Sequence, residues 1–222
     1  MILNQKSGGS GNCPDAPDPS SGTVNFCNGQ AQGAMTGWGW VALGELDTIT
    51  DPTCDTDNHE ITKANPCTST TNWDWNSTPD ALCINASIPA LPASPVQADY
   101  DANWGVQIGV SSSEPPADKG GTTLGDTFAS VAISYTGTPS TGLRAELHRL
   151  GDIDDITYCA NIQSSGTSIA LTAFNTHCWD NGGDGLTEAD IPNIDKVGIQ
   201  VSSGSKEITV EKLCLTKVEF MK

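Results

Sequence analysis

Residues 142–149 (GLRAELHR) carry three side chains capable of chemistry at alternate positions of one short segment. Apolar and polar residues alternate here, which is typical of a strand with one buried face. The buried side would hold Leu143, Ala145 and Leu147. The other side would present a guanidinium, a carboxyl and an imidazole group, those of Arg144, Glu146 and His148. Such groups bind ligand hydroxyls, transfer protons or only contact water.

Three further segments alternate in the same way: 103–111 (NWGVQIGVS), 128–135 (FASVAISY) and 196–203 (KVGIQVSS). If the four strands share one sheet, their polar faces combine into a floor of small residues. That floor surrounds five hydrogen-bonding side chains: Arg144, Glu146, His148, Gln107 and Gln200. Small residues leave room for a ligand, so the pattern favours a binding face. The alternative is an ordinary solvated face of an antiparallel sheet.

Short β-like segments separated by turn residues follow one another from position 23 to the end of the chain. They predict an all-β fold, an antiparallel β-sandwich or jelly roll, in preference to a barrel. The best helix candidate is 186–191 (LTEADI). Residues 1–22 are rich in Gly, Ser and Pro and predict a flexible tail or linker, so that 23–222 form a single domain. Residues 45–80 have weak strand periodicity and are interpreted as a long loop stapled by Cys54 and Cys67.

The charge and cysteine content narrow the class of protein. Among 222 residues, 27 are acidic and 10 basic, a formal net charge of −17. Nucleic acids and anionic membranes are therefore unfavourable partners. Eight cysteines without a CxxC pair favour a secreted protein with four disulfides over a zinc site. Sequence leaves about 105 connectivities open. Proximity favours Cys13 with Cys27, Cys54 with Cys67, and Cys159 with Cys178, and the expected neighbourhood of an early strand and the last one favours Cys83 with Cys214.

Tryptophans could supply stacking surfaces for a ligand. Trp38 and Trp40 belong to a strand-like segment and are either core residues or a platform. Trp73 and Trp75 lie in a polar stretch, so they are the favoured exposed platform. Trp179 follows Cys178 and is expected to pack on a disulfide.

Three acidic loops are candidates for a structural calcium ion, which needs six to eight oxygen ligands. The first contains Asp55, Asp57 and Glu60, and the second contains Asp152, Asp154 and Asp155. The third is favoured and contains Asp180, Asp184, Glu188 and Asp190. Alternatively, these acids only keep the surface soluble.

Several segments together resemble a known class of module. WGVQIGV, SYTG, GLRAELHR, FNTHCW, IDKVGIQVSS and ITVEKLCLTKVEF are similar in order and patterning to the jelly-roll, galactose-binding-like modules appended to secreted polysaccharide-degrading enzymes. The likeness covers roughly residues 80–220. It implies carbohydrate binding on the concave sheet face or at the loop rim, often with a structural calcium, and a catalytic domain in the parent protein.

Two other functions stay open. An enzyme would use Glu146, His148 and Arg144, and GLRAELHR resembles the R-x-E-L-R segment of jelly-roll polysaccharide lyases. That likeness implies that Arg neutralises a uronate while His accepts a proton, but the other lyase signatures are absent. A glycoside hydrolase needs a second facing carboxylate, and Gln107 and Gln200 stand where one would be expected. The third function is that of an extracellular structural or filament subunit.

The sequence thus favours a secreted carbohydrate-binding module without turnover. Arg144 and Glu146 are expected to bind sugar hydroxyls, with His148 beside them. Gln107 and Gln200 would extend this row.

Overall fold

The computed structural model describes the backbone of residues 2–4 and residues 13–51, 60–65, 80–112, 121–152, 156–180 and 182–222. These parts form an antiparallel β-sandwich around an apolar core. The strands are β1 (Ile2–Asn4), β2 (Thr23–Cys27), β3 (Gln30–Gly33), β4 (Gly37–Leu43), β5 (Thr48–Asp51), β6 (Ile61–Thr62), β7 (Leu82–Ile88), β8 (Gly105–Ser111), β9 (Ser130–Thr138), β10 (Leu143–Arg149), β11 (Tyr158–Asn161), β12 (Ser168–Ala170), β13 (Ile194–Ser202) and β14 (Ile208–Met221). The predicted all-β fold class is confirmed.

Short helical segments connect these strands. The α-helix α1 is Gln97–Ala102, and 3-10 turns occupy Pro19–Ser21, Leu171–Ala173 and Ile191–Asn193. Asp99 closes the start of α1 by accepting a hydrogen bond from the Val96 N–H at 2.7 Å. The helix predicted at 186–191 is instead a turn that leads into the last 3-10 segment. None of the described helices has the length and apolar character needed to span a bilayer.

The hydrogen-bonded strand order is β11-β10-β13-β8-β4-β3-β2-β14-β7-β5-β6. β10, β13 and β8 are therefore consecutive neighbours, as the proposed floor requires. β9 is not beside them, because it pairs with β12 and β14. β14 spans fourteen residues and is long enough to pair with β9 as well as with β2 and β7. The polar face is thus built from three of the four expected strands, with β4 completing it.

The apolar side chains of these strands form the core. Ala145, Ile199, Ile108 and Val41 are register partners across four strands, and each is at most 1% exposed. Complete burial of each large aliphatic side chain contributes about 1.5–3 kcal/mol to the free energy of unfolding. The alternation seen in 142–149 is therefore set by this core, which turns Arg144, Glu146 and His148 to the opposite face.

Disulfides attach distant parts of the chain to the sandwich. They join Cys13 to Cys27, Cys83 to Cys214 and Cys159 to Cys178, which are the pairings predicted from the sequence. Cys54 and Cys67 lie outside the described residues. The segment expected to be a tail contacts the domain through the Cys13–Cys27 bond, through β1, which pairs with β4, and through the Gly22 carbonyl, which accepts a hydrogen bond from the Phe220 N–H at 2.8 Å.

Candidate functional site

Strand register arranges the polar face in three rows. Glu146 lies in one row with Gly198, Gly109 and Trp40. Arg144 lies in the next row with Gln200 and Gln107, and His148 lies in the third with Lys196 and Ser111. Directly paired residues of antiparallel strands project from the same side of the sheet. The fold therefore brings together all five side chains that the sequence selected from this face.

This polar face is buried, unlike the open floor that the sequence suggested. Glu146 is 6% exposed, His148 7% and Trp40 5%. The indole of Trp40 uses the space left by glycine, since a Cβ on Gly109 would lie 3.1 Å from its Cζ2 atom and 2.4 Å from the Val197 carbonyl oxygen. Glycine in this row thus serves close packing of an aromatic ring.

A partly open cavity of about 60 Å³ lies between these side chains. Its lining consists of Trp40, Gln107, Glu146, Leu147, His148, Thr157 and Lys196. Binding pockets for drug-sized ligands typically measure about 300–1,000 Å³. The cavity therefore accepts a hydroxyl or hydroxymethyl group, and a whole sugar ring would have to remain outside it.

Burial controls the charge of Glu146. Removal from water raises the pKa of Glu146 to about 8, against the opposing effects of a hydrogen bond from Gln107 and the positive charge of Arg144. At neutral pH the side chain is therefore predominantly a neutral carboxyl group. In this form it has one O–H donor and can still accept hydrogen bonds.

His148 is oriented by a carboxylate that the sequence analysis did not select. Its Nδ1 atom lies 2.7 Å from Oδ1 of Asp195, and both residues are buried. A register shift opposite His148 and Arg149 leaves Asp195 as an extra residue in β13, which is a β-bulge. An ionised carboxylate only accepts hydrogen bonds, so it holds the Nδ1 proton and leaves Nε2 as the second functional atom of the ring.

Two buried ring nitrogens have no hydrogen-bond partner among the described residues: Nε2 of His148 and Nε1 of Trp40. Both residues line the cavity. A buried polar group without a partner costs about 1–3 kcal/mol. Such groups beside open volume are candidates for contacts with a ligand.

Arg144 and Gln200 are held mainly by each other and by the backbone. Nη1 of Arg144 donates to Oε1 of Gln200 at 3.4 Å, and Nε2 of Gln200 donates to the Trp104 carbonyl at 3.2 Å. Ser202 also donates to Oε1 of Gln200 at 3.1 Å. Gln200 therefore supports the face, whereas the half-buried Arg144 acts on Glu146 through its charge.

Two residues at the start of β13 were not predicted as site residues: Lys196, which lines the cavity, and Asp195, which contacts His148. Regular alternation places Lys196 on the polar face with Gln200, whereas only the bulge brings Asp195 to His148. Trp40 was considered as either a core residue or a platform. Neither alternative for Trp40 anticipated a buried ring that also borders a cavity.

Several predicted site residues fall outside the described part of the chain. These are Trp73, Trp75, Asp55, Asp57, Asp154 and Asp155. Of the remaining members of those two acidic loops, Glu60 is exposed and Asp152 pairs with Arg149. The stacking platform at 73–75 stays a prediction.

The third acidic loop does not assemble a cation site from its described side chains. Asp190 pairs with Arg149 and accepts hydrogen bonds from the Thr187 hydroxyl and N–H, while Asp180 accepts one from the Gly182 N–H. Asp184 and Glu188 are exposed. Among the described residues, no three His, Cys, Asp or Glu side chains converge as metal ligands. A structural calcium ion stays a prediction from sequence.

The polar face thus combines a neutral carboxyl group, an imidazole oriented by a carboxylate and an indole N–H around one small cavity. These groups can bind hydroxyls or move a proton. Comparison with known proteins adds no family, since no protein-family model matches the chain and no curated protein matches its sequence.

Proposed function

We propose that the protein binds a neutral polysaccharide, with a hydroxyl or hydroxymethyl group of one sugar entering the cavity beside Glu146. The observation that carries this proposal is that two residues lining the cavity, Trp40 and His148, each have a buried ring nitrogen without a hydrogen-bond partner among the described residues. Trp40 Nε1 offers a donor, and His148, whose Nδ1 atom faces the Asp195 carboxyl group, offers its Nε2 atom. Sugar hydroxyls both donate and accept hydrogen bonds, so a bound sugar offers suitable partners for both kinds of nitrogen.

The net charge of the protein supports an uncharged ligand. The chain has a formal net charge of −17, which repels anionic chains. The uncharged form of Glu146 also suits a hydroxyl, since it gives and receives hydrogen bonds without a buried ionic charge. Arg144 and Gln107 stabilise the ionised form, so Glu146 can change its charge above pH 8.

The extracellular setting is part of the same proposal. The three described disulfides are of a kind that persists in oxidising compartments, where polysaccharides are available. A catalytic domain in the parent protein is the partner that fits a non-catalytic binding module.

The test measures binding of the purified protein to a panel of neutral polysaccharides, for wild type, Glu146→Gln and Glu146→Ala. Glutamine reproduces a neutral carboxyl group in size and hydrogen bonding, so Glu146→Gln should bind within about threefold of wild type at pH 7. Alanine should weaken binding about ten- to a hundredfold. Glu207→Gln, at an exposed position of the described chain, is the matched control.

The pH dependence separates this proposal from non-specific adhesion. Binding by wild type should fall above pH 8 as Glu146 ionises and loses its O–H donor, whereas binding by Glu146→Gln should not. Equal binding by wild type and Glu146→Ala, or no binding by wild type to any glycan, would overturn the proposal.

A polysaccharide lyase is the second candidate, favoured by the His148–Asp195 contact of 2.7 Å beside protonated Glu146. His148 Nε2 would take the proton from the carbon next to a uronate carboxylate. The electron pair would form the C=C bond as the C–O bond breaks, and Glu146 would protonate the leaving oxygen. Glu146→Gln would then abolish unsaturated product while retaining binding, whereas a binding module forms no product with either protein.

A further inference from the structure

An exposed aromatic pair lies on the loop that includes the described residues 176–180 and 182–185, here named the Trp179 loop. Trp179 is 64% exposed, the largest exposure among the tryptophans that the structure describes. His177 stacks on its indole, with ring centroids 4.8 Å apart and planes inclined by 19°. The sequence suggested that this indole packs on a disulfide, but its stacking partner is His177. Because the imidazole lies against one face of the indole, the opposite face is the one available to a ligand.

A disulfide fixes this loop beside the polar face. Cys178, next to Trp179, is bonded to Cys159 of β11. Cys159 is the direct register partner of Glu146, so both side chains project from the same side of the sheet, with Cβ atoms about 4.5–5.5 Å apart. The Trp179 loop is thus anchored one strand away from Glu146, at the end of the row that begins with Trp40.

The loop is also held internally, which keeps the rings in place. The Thr176 N–H donates to the Asp184 carbonyl at 3.0 Å, and the Asp184 N–H donates to the Thr176 hydroxyl at 3.1 Å. The His177 N–H donates to Oδ1 of Asn175 at 2.9 Å. A rigid aromatic surface binds with less loss of conformational entropy than a mobile one.

We infer that Trp179, supported by His177, is a stacking subsite for a second sugar unit of the same neutral chain that the Glu146 cavity binds. This inference rests on the proposed function and adds a second point of contact to it. The apolar C–H face of a pyranose fits the free indole face, since an aromatic ring combines a large apolar surface with a negative face. Asp180 is 56% exposed beside His177 and can accept hydrogen bonds from sugar hydroxyls.

The surrounding charge favours a neutral ligand over an anionic one. Asp180, Asp184 and Glu188 are all exposed in or near this loop, so a phosphate, sulfate or uronate would be repelled there. His177 acts as a positioning residue that fixes the indole plane.

The experiment measures affinity against chain length, with neutral β-1,4-linked oligosaccharides of one to six glucose, xylose or mannose units as probes. Wild type should gain affinity when the chain becomes long enough to reach from the cavity to Trp179. Trp179→Ala should lose that gain, roughly three- to tenfold for long chains, and should match wild type for the monosaccharide. Trp179→Phe should retain part of it, and His177→Ala should weaken it. Tyr100→Ala, another exposed aromatic change, is the matched control.

The outcomes separate the two proposals. If Glu146→Ala weakens binding at every length but Trp179→Ala matches wild type throughout, the subsite is overturned and the proposed function stands. If Trp179→Ala weakens binding and Glu146→Ala does not, the Trp179 surface binds sugar but the cavity does not. If no probe binds wild type, both proposals fail.

Discussion

The Glu146 cavity and the Trp179 loop are one strand apart on the same side of the sheet, but they differ in what holds them. Glu146, His148 and Trp40 are buried and are positioned by strand register and core packing. Trp179 is exposed and is positioned by a disulfide and loop hydrogen bonds. Residues in the cavity therefore contribute to folding as well as binding, whereas Trp179 can affect binding with little effect on folding.

The largest effect expected from this difference concerns stability against pH. The pKa of Glu146 rises on folding from its ordinary value of 4.5 to about 8. Between these values the folded protein keeps a proton that the unfolded chain releases, so wild-type stability falls as pH rises. The loss in the free energy of unfolding of wild type amounts to at most about 5 kcal/mol by pH 9. Glu146→Gln does not titrate at this position, so its stability should not fall for this reason.

Urea unfolding of wild type and Glu146→Gln at pH 4, 6, 8 and 9 measures this difference. Between the two pKa values, the free energy of unfolding of Glu146→Gln should rise relative to that of wild type by up to about 1.4 kcal/mol per pH unit. Above the higher pKa the difference should stay constant. Glu207→Gln, which removes an acid at an exposed position, is the control for the loss of one carboxyl group. Parallel curves for wild type and Glu146→Gln would show that Glu146 ionises as freely in the folded protein as in water.

The second effect concerns the anchor of the Trp179 loop. Replacing Cys159 and Cys178 together by Ala should lower the free energy of unfolding by about 3 kcal/mol, as expected for a bond that closes a short loop. The variant should also lose the chain-length gain in affinity that depends on Trp179. Urea unfolding and oligosaccharide titration measure the two results.

The matched control replaces Cys13 and Cys27, which are 14 positions apart, compared with 19 for Cys159 and Cys178. Its stability should fall by a similar amount while the chain-length dependence of binding is kept. Loss of that dependence in both variants would mean that general destabilisation, and not the position of the loop, controls binding.

Local sequence patterns were sufficient to predict the strands in which apolar and polar residues alternate. They predicted the core and polar faces of β8, β10 and β13, because strict period-2 patterning leaves a single orientation for each side chain. They did not place β9, since strand pairing depends on long-range contacts that no local pattern encodes. The short strands β3 and β5 were missed because neither has a clear apolar alternation.

The candidate site shows the same division. Arg144, Glu146 and His148 were found from spacing, and Gln107 and Gln200 joined them through register. Asp195 was missed because a β-bulge, an irregularity in the pairing of β13 with β10, brings it to His148. The burial of Glu146, and with it the raised pKa, depends on neighbours such as Trp40 that come from other strands. The chemical groups of the site could therefore be predicted from the sequence, but their protonation states and their accessibility to a ligand could not.

The smallest effect expected is on stability at Trp179. Trp179→Ala should change the free energy of unfolding by no more than about 0.5 kcal/mol, because an exposed side chain contributes little to folding. Trp40→Ala, which removes a buried indole from the polar face, should cost about 3–5 kcal/mol. Urea unfolding at pH 6, where Glu146 is protonated in both variants, makes the comparison direct. A cost above 1 kcal/mol for Trp179→Ala would mean that the indole supports the loop through its contact with His177. In that case its effect on oligosaccharide affinity would have to be judged from Trp179→Phe, which keeps a ring against His177 while reducing the surface offered to a sugar.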